Sequence, residues 1–117
     1  MAAAHATLAF VVIVVAVAAS AAGAYAYRRR GSAGAIVGHL LALAQTVVIA
    51  QVALGLVLVS DDRRAAEELH YAYGALALGA VLAPWLYAPG EPRRRLLWFA
   101  GATLLAGALA VRALMTG

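Results

Sequence analysis

Residues 35–59 read AIVGHLLALAQTVVIAQVALGLVLV and contain no aspartate, glutamate, lysine or arginine. An α-helix needs about 20 predominantly apolar residues to cross the hydrocarbon core of a bilayer. This run is long enough, and only a helix satisfies its backbone polar groups, because lipid offers them no hydrogen-bond partners. The run therefore predicts a transmembrane helix.

Three further apolar runs lie on either side of this one, at residues 6–27, 69–88 and 96–115. Because the connections are short, consecutive helices should be antiparallel neighbours. We predict a single transmembrane domain over residues 1–117, an all-α integral membrane four-helix bundle with up-down topology. The expected helices cover residues 6–27, 35–59, 62–88 and 96–115.

The third helix is expected to begin before its apolar part. Asp61 or Asp62 can cap it, and acidic residues are favoured in the first turn of a helix. We therefore place its start near Asp62.

The first run also shows features of a secretory signal peptide, an apolar stretch with the small residues Ala19, Ala21 and Ala22. However, no basic residue precedes it, an arginine triplet follows it, and it is longer than a usual signal core. We expect it to be a retained transmembrane helix.

The composition also favours a membrane protein. Hydrophobic residues make up 66% of the chain and charged residues 12%, and the mean hydropathy is +0.91. A soluble domain of this size leaves about a third of its surface exposed and could not hide so much apolar surface. Disordered chains are polar. The chain has no cysteine, which excludes disulfides, thiolate metal sites and cysteine nucleophiles.

The positive charge indicates orientation rather than nucleic-acid binding. All nine basic residues are arginines, and six of them form triplets at residues 28–30 and 93–95, each beside an apolar run. With four crossings both triplets lie on one side, which the positive-inside rule makes cytoplasmic. Both termini then face outward. We expect a multi-pass protein of the bacterial inner (plasma) membrane, surrounded by the lipid bilayer and without a nucleic-acid partner.

Three polar side chains in the apolar runs share one depth in the membrane. With a rise of 1.5 Å per residue, Gln51 and Arg112 lie roughly 25 Å above the arginine side, and His70 lies roughly 12 Å below the outer loop. This places Gln51, His70 and Arg112 in one layer of the outer half. His5 lies somewhat above the layer, near the water. His39 lies at the opposite leaflet and should not share a metal atom with His70.

The layer has a functional and a plainer interpretation. In the functional one it binds b-type haem or a quinone headgroup, with His70 as axial ligand of the haem iron or as headgroup donor. Gln51 is then the hydrogen-bond partner and Arg112 the anion clamp. In the plainer one, Arg112 reaches the outer water or pairs with Glu67 or Glu68, and His70 bonds a backbone carbonyl.

The two remaining histidines are weaker candidates. A bis-histidine haem would need His5 together with His70; otherwise His70 is the single protein ligand. His39 is kept as a secondary candidate, since it fits a packed or interfacial histidine better than a ligand.

Two helices carry stripes of small residues at helical spacing. On helix 3 the stripe is His70, Gly74, Ala77, Val81 and Pro84, and on helix 4 it is Gly101, Leu105, Ala108 and Arg112. Small residues let another helix or a flat group come close, and helix packing is the commoner use. Gly74, one turn below His70, would suit a haem face.

Helix 2 carries its polar residues on several faces. Gln45 and Gln51 lie about 240° apart, and His39 lies on a third face. We therefore expect helix 2 to be surrounded by protein and bonded to several neighbours, rather than to line a pore.

Residues 39–45 (HLLALAQ), 51–55 (QVALG) and 69–74 (LHYAYG) resemble small bacterial four-helix b-type haem membrane proteins, in the style of half of haem A synthase or a dihaem b cytochrome. The resemblance covers mostly helices 2 and 3. Those families usually place paired axial histidines at one level, whereas His39 and His70 do not pair. The resemblance therefore implies at most one haem, near His70, and a role in electron transfer, as in a respiratory chain, or in haem handling.

Three other function classes stay open. The alanine and glycine content supports close helix packing, so the main alternative is a non-catalytic structural or assembly subunit of a larger membrane complex, or a homo-oligomeric scaffold. Small multidrug resistance transporters share this length and helix count, but they depend on a glutamate in helix 1 that this chain lacks. An enzyme is least favoured, because the sequence has no phosphate loop, zinc helix or nucleophile elbow.

Overall fold

The computed structural model describes residues 2–29, 34–60 and 68–117, and this part of the chain is helical apart from short connecting and terminal stretches. The four helices are α1 (Ala2–Arg29), α2 (Gly34–Ser60), α3 (Leu69–Tyr87) and α4 (Pro92–Thr116). Each is long and apolar enough to cross a membrane. The longest dimension, 47 Å, matches the roughly 40–45 Å of a bilayer with its headgroups. The predicted all-α four-helix membrane bundle is confirmed.

The start of α4 differs from the apolar run that predicted it. The helix begins at Pro92, not at residue 96, and so includes the arginine triplet. The Glu91 carboxylate accepts hydrogen bonds from the backbone nitrogens of Arg93 at 3.1 Å and Arg94 at 3.0 Å. Proline is also favoured at the first helical position. The cap and the proline therefore set the start, and hydropathy does not report them.

The predicted start of α3 falls in a part of the chain that the structure does not describe. The expected start near Asp62, and its cap by Asp61 or Asp62, lie outside the described residues. Within the described part, α3 begins at Leu69, after Glu68.

α1 and α4 form the centre of the bundle through a close antiparallel seam. A Cβ on Gly23 would meet the Ala100 Cβ at 2.8 Å, and a Cβ on Gly107 would lie 3.0 Å from the Ala16 Cβ. From the first of these contacts to the second, the residue number decreases along α1 and increases along α4, so the two helices are antiparallel. The buried residues of α1 are Val12, Ala16, Ala19, Ser20, Gly23 and Ala26, and those of α4 are Leu96, Ala100, Thr103, Ala106 and Gly107. Apart from Ser20 and Ala106 they follow alternating steps of four and three, which are typical of knobs-into-holes packing.

The four helices form a ring in chain order, and one side of the ring is open. α1 packs extensively against α2 and α4, and α3 against α4, whereas α2 and α3 make few contacts. We call the end with His5 and His70 the histidine end. The end with Arg28, Arg29 and residues 93–95 is the arginine end.

Many large apolar side chains of the described helices face outward. Ile36 is 78% exposed, Leu56 66% and Leu86 76%. Within the single chain α2 is not surrounded by protein, because each helix of a four-membered ring has an outer face. α2 does bond to two neighbours: Gln45 bonds to α3 and Gln51 to α1.

One of the two small-residue stripes is largely buried, and the other is exposed. On α3, Ala77, Val81 and Pro84 are buried, so the stripe is a packing face as expected. On α4 the whole stripe, from Gly101 to Arg112, is exposed. The buried face of α4 lies roughly 150° around the helix from that stripe. It carries Ala100 and Gly107, which allow α1 to approach more closely than a face carrying Leu105 would.

Candidate functional site

All four helices contribute to a cluster around two histidines at the histidine end. The ring centroids of His5 on α1 and His70 on α3 lie 6.1 Å apart, edge to face at 78°. The Gln51 amide nitrogen on α2 donates to the His5 carbonyl oxygen at 2.9 Å. Gly117, directly after α4, packs against His70, since a Cβ there would lie 2.9 Å from the imidazole. The structure therefore brings His5, Gln51 and His70 together.

The hydrogen bond of His70 determines which ring nitrogen is available. Nδ1 of His70 lies 2.7 Å from the carbonyl oxygen of Ala113. A carbonyl can only accept, so Nδ1 carries the proton and Nε2 carries the lone pair. The plainer expectation for His70, a bond to a backbone carbonyl, is confirmed. The same arrangement is almost always found around histidines that bind metals, because it fixes the tautomer and the ring orientation.

Two buried polar atoms of the cluster, one on His5 and one on Gln51, have no hydrogen-bond partner among the described residues. The Nδ1 of His5 and the Oε1 of Gln51 are inaccessible to water and form no hydrogen bond within the described part of the chain. The ring lies against α2, where a Cβ on Gly55 would be only 3.3 Å from Cε1 of His5. Buried polar atoms without partners are rare in folded proteins. Here the two atoms belong to side chains that already meet, since Gln51 bonds to the backbone of His5.

Arg112 does not join the cluster. It is exposed on the outer face of α4, and its Nη2 lies 3.5 Å from the hydroxyl of Tyr73. Its guanidinium carbon lies 5.6 Å from the Tyr73 ring centroid. Among the described residues Arg112 makes no ion pair, and Glu67, one expected partner, lies outside them. Depth along the helix axis placed Arg112 in the layer, but depth does not determine the face of the helix.

Gly74 and His39 lie apart from the two rings. At Gly74, one turn below His70, a Cβ would have open space around it, so its role beside a flat ligand stays a prediction. His39 is exposed on α2, in the half of the helix nearer the arginine end.

His5 lies closer to His70 than the sequence predicts, and its ring packs against Gly55, a contact that the sequence pattern does not indicate. α1 begins at Ala2 rather than at residue 6, which brings His5 into the ordered first turns of the helix. The signal available for this was the run of alanines at residues 2–4, since alanine is the strongest helix former.

No family model, curated protein or solved structure shows a significant match to the chain. The four apolar helices define its class, a multi-pass membrane protein built as a four-helix bundle.

Proposed function

We propose that the protein binds one b-type haem at the His5–His70 pair and acts in electron transfer or haem handling. The observation that carries this proposal is the 6.1 Å between the two ring centroids. Two imidazoles bound to opposite sides of one iron through bonds of about 2.0 Å hold their centroids roughly 6–6.5 Å apart. The pair therefore has the centroid separation of a bis-histidine iron, and from the edge-to-face arrangement the rings would have to turn so that one nitrogen of each faces the metal.

The number of available ligands favours haem over a bare metal ion. No group of three or more histidine, cysteine, aspartate or glutamate side chains suited to a metal occurs among the described residues. A porphyrin supplies four of the iron ligands itself and needs only two from the protein. His70 would bind through Nε2, oriented by Ala113, and His5 would supply the second nitrogen. Bound haem would provide a one-electron redox centre at this end of the bundle.

A quinone headgroup fits the same cluster less well. The donors expected to hold its carbonyl oxygens are the Gln51 amide and the His70 ring. Both the Gln51 Nε2 and the His70 Nδ1 already donate to backbone carbonyls. Gln51 keeps a second N–H for a quinone oxygen, but the His70 ring could donate to one only by giving up its bond to the Ala113 carbonyl, a bond that a haem iron on Nε2 leaves intact.

We infer that the arginine end lies on the cytoplasmic side of a bacterial inner membrane. Arg93 lies over the Tyr27 ring at 4.4 Å, and Arg29 lies 5.8 Å from the Tyr25 ring. Arginine and aromatic residues together are typical of the membrane–water interface, and an excess of arginine is typical of the cytoplasmic side. The histidine end, and the haem with it, would then lie toward the outside.

Absorption spectra of the purified protein test the haem proposal. The detergent-solubilised protein, incubated with haemin and passed through a desalting column, is expected to retain a Soret band and to show sharp visible bands after dithionite. His70→Ala should lose haem. His5→Ala should change the spectrum from that of a six-coordinate iron to that of a five-coordinate one.

His39→Ala is the matched control, because it removes an exposed histidine outside the cluster and should leave the spectrum unchanged. A folded wild-type protein that stays colourless after incubation would contradict the proposal. So would a His70→Ala variant with the wild-type spectrum.

The second candidate is a structural or assembly subunit, or a scaffold of several copies. The observation that favours it is that 6.1 Å is also an ordinary edge-to-face distance between rings. In this case the cluster only locks the four helices together. Such a protein would be colourless, and native mass spectrometry would show a partner or a defined oligomer.

A further inference from the structure

A cavity of about 330 Å³ opens at the arginine end between α2, α3 and α4, far from the two histidines. It lies on the side of the ring where α2 and α3 make few contacts. Apolar side chains form most of its surface, and a few polar groups face it. Its walls include Gly38, Leu41, Gln45, Trp85, Arg95 and Phe99.

Arg95 supplies the positive charge of this cavity. It is partly buried, and its guanidinium carbon lies 5.1 Å from the Phe99 ring centroid and 5.9 Å from that of Trp85. It makes no ion pair with a carboxylate among the described residues, and the nearby Glu91 caps α4 instead. A guanidinium that packs its face against aromatic rings keeps the N–H groups at its edge free. An anion with several oxygens can accept hydrogen bonds from these groups.

Gln45 supplies a neutral donor deeper in the cavity wall. It is 8% exposed, and its Oε1 accepts a hydrogen bond from Nε1 of Trp85 at 2.7 Å. This bond fixes the orientation of the amide. The Nε2 group makes no bond to another described residue and is available to an oxygen acceptor.

We propose that this cavity binds an anionic phospholipid, with the phosphate on Arg95 and an acyl chain along the open side between α2 and α3. The cavity lies near the end of α3 and the start of α4, which is the headgroup level of a spanning bundle. Arg28, Arg29, Arg93 and Arg94 lie at the same end and add to the attraction of negative lipids. The apolar walls suit the part of the lipid below its phosphate.

Native mass spectrometry of the full chain in detergent tests this site. Phosphatidylglycerol and phosphatidylcholine with the same acyl chains are titrated separately. We expect one saturable phosphatidylglycerol per chain, bound at least about fivefold more tightly than phosphatidylcholine, and excess inorganic phosphate should not displace it. Arg95→Gln should lower the phosphatidylglycerol affinity to that of phosphatidylcholine.

Arg94→Gln is the matched control, since it removes the same charge from an exposed neighbour that does not line the cavity. It should change the affinity less than about twofold. Ala42→Phe provides a second variant, which keeps every charge and fills part of the cavity with a larger side chain. It should weaken the binding of both lipids.

Three results would overturn the proposal. Equal losses in the Arg95→Gln and Arg94→Gln variants would show general surface attraction without a site. Saturable binding of decylubiquinone in preference to phosphatidylglycerol would assign the cavity to a quinone. A dimer that excludes lipid from the cavity would assign it to a second copy of the chain. None of these results depends on whether haem binds at the histidine end.

Discussion

Most polar side chains inside the bundle bond to backbone carbonyls. Ser20 donates to the Ala16 oxygen and Thr103 to the Phe99 oxygen, each at 2.7 Å and within its own helix. Gln51 and His70 donate to carbonyls of neighbouring helices and so connect α2 to α1 and α3 to α4. Because lipid provides no partners, such bonds are the normal state of a polar group in a membrane. The Nδ1 of His5 departs from that pattern, since it forms no hydrogen bond within the described part of the chain.

Gly23 provides a prediction about packing at the centre of the bundle. A Cβ at this position would lie 2.8 Å from the Ala100 Cβ, which cannot rotate away because it is fixed to the backbone. Gly23→Ala should therefore push α1 and α4 apart and lower the free energy of unfolding by about 1–3 kcal/mol. Circular dichroism during titration with dodecyl sulfate in mixed micelles measures this change.

Gly79→Ala is the control, because a Cβ there meets no atom within 4 Å. It should be neutral or stabilising by up to about 1 kcal/mol, since alanine is the better helix former. Equal stabilities of the two variants would show that the close seam is not present in the membrane.

Hydropathy predicted the four helices, but it predicted their first and last residues less well. Four apolar runs predicted four helices, because length and lack of charge alone select a spanning helix. The start of α4 depends on local hydrogen bonds made by Glu91 and on Pro92, which a hydropathy pattern does not contain.

Glu91 provides a prediction about the start of α4. Its carboxylate accepts from the backbone nitrogens of Arg93 and Arg94, so Glu91→Ala should leave two donors without a side-chain partner. We expect a loss of about 0.5–2 kcal/mol in stability and faster hydrogen exchange in the first turn of α4. Hydrogen–deuterium exchange followed by mass spectrometry measures the exchange.

The matched variant is Glu91→Asn, which keeps a side-chain acceptor and should preserve most of the protection. Unchanged exchange in Glu91→Ala would show that water caps the helix equally well.

The whole molecule is a ring of four helices, and five of the six arginines that the structure describes lie at one end of it. The seam between α1 and α4 holds the ring together, and the side between α2 and α3 stays open. The two proposed sites lie at opposite ends of the bundle. A haem at the histidine end and a lipid at the arginine end would therefore not compete.

The orientation of the whole bundle can be tested by cysteine labelling, because the natural chain has no cysteine. Ala3 lies at the histidine end, and Gly90 lies between α3 and α4 at the arginine end; both are exposed. In intact bacterial cells a membrane-impermeant maleimide should label Ala3→Cys directly and Gly90→Cys only after lysis. Labelling of Gly90→Cys in intact cells would reverse the proposed orientation.

The sequence by itself determined the class of the protein, the number of helices and the shared level of Gln51 and His70. These properties follow from hydropathy and from the fixed rise of a helix, which are local. The tertiary structure decided which residues meet, because that depends on how each helix is rotated against its neighbours. Rotation turned Arg112 outward onto Tyr73, and the early start of α1 brought His5 to His70. The small residues Gly23 and Gly107 allow α1 and α4 to approach closely, whereas α2 and α3 make few contacts.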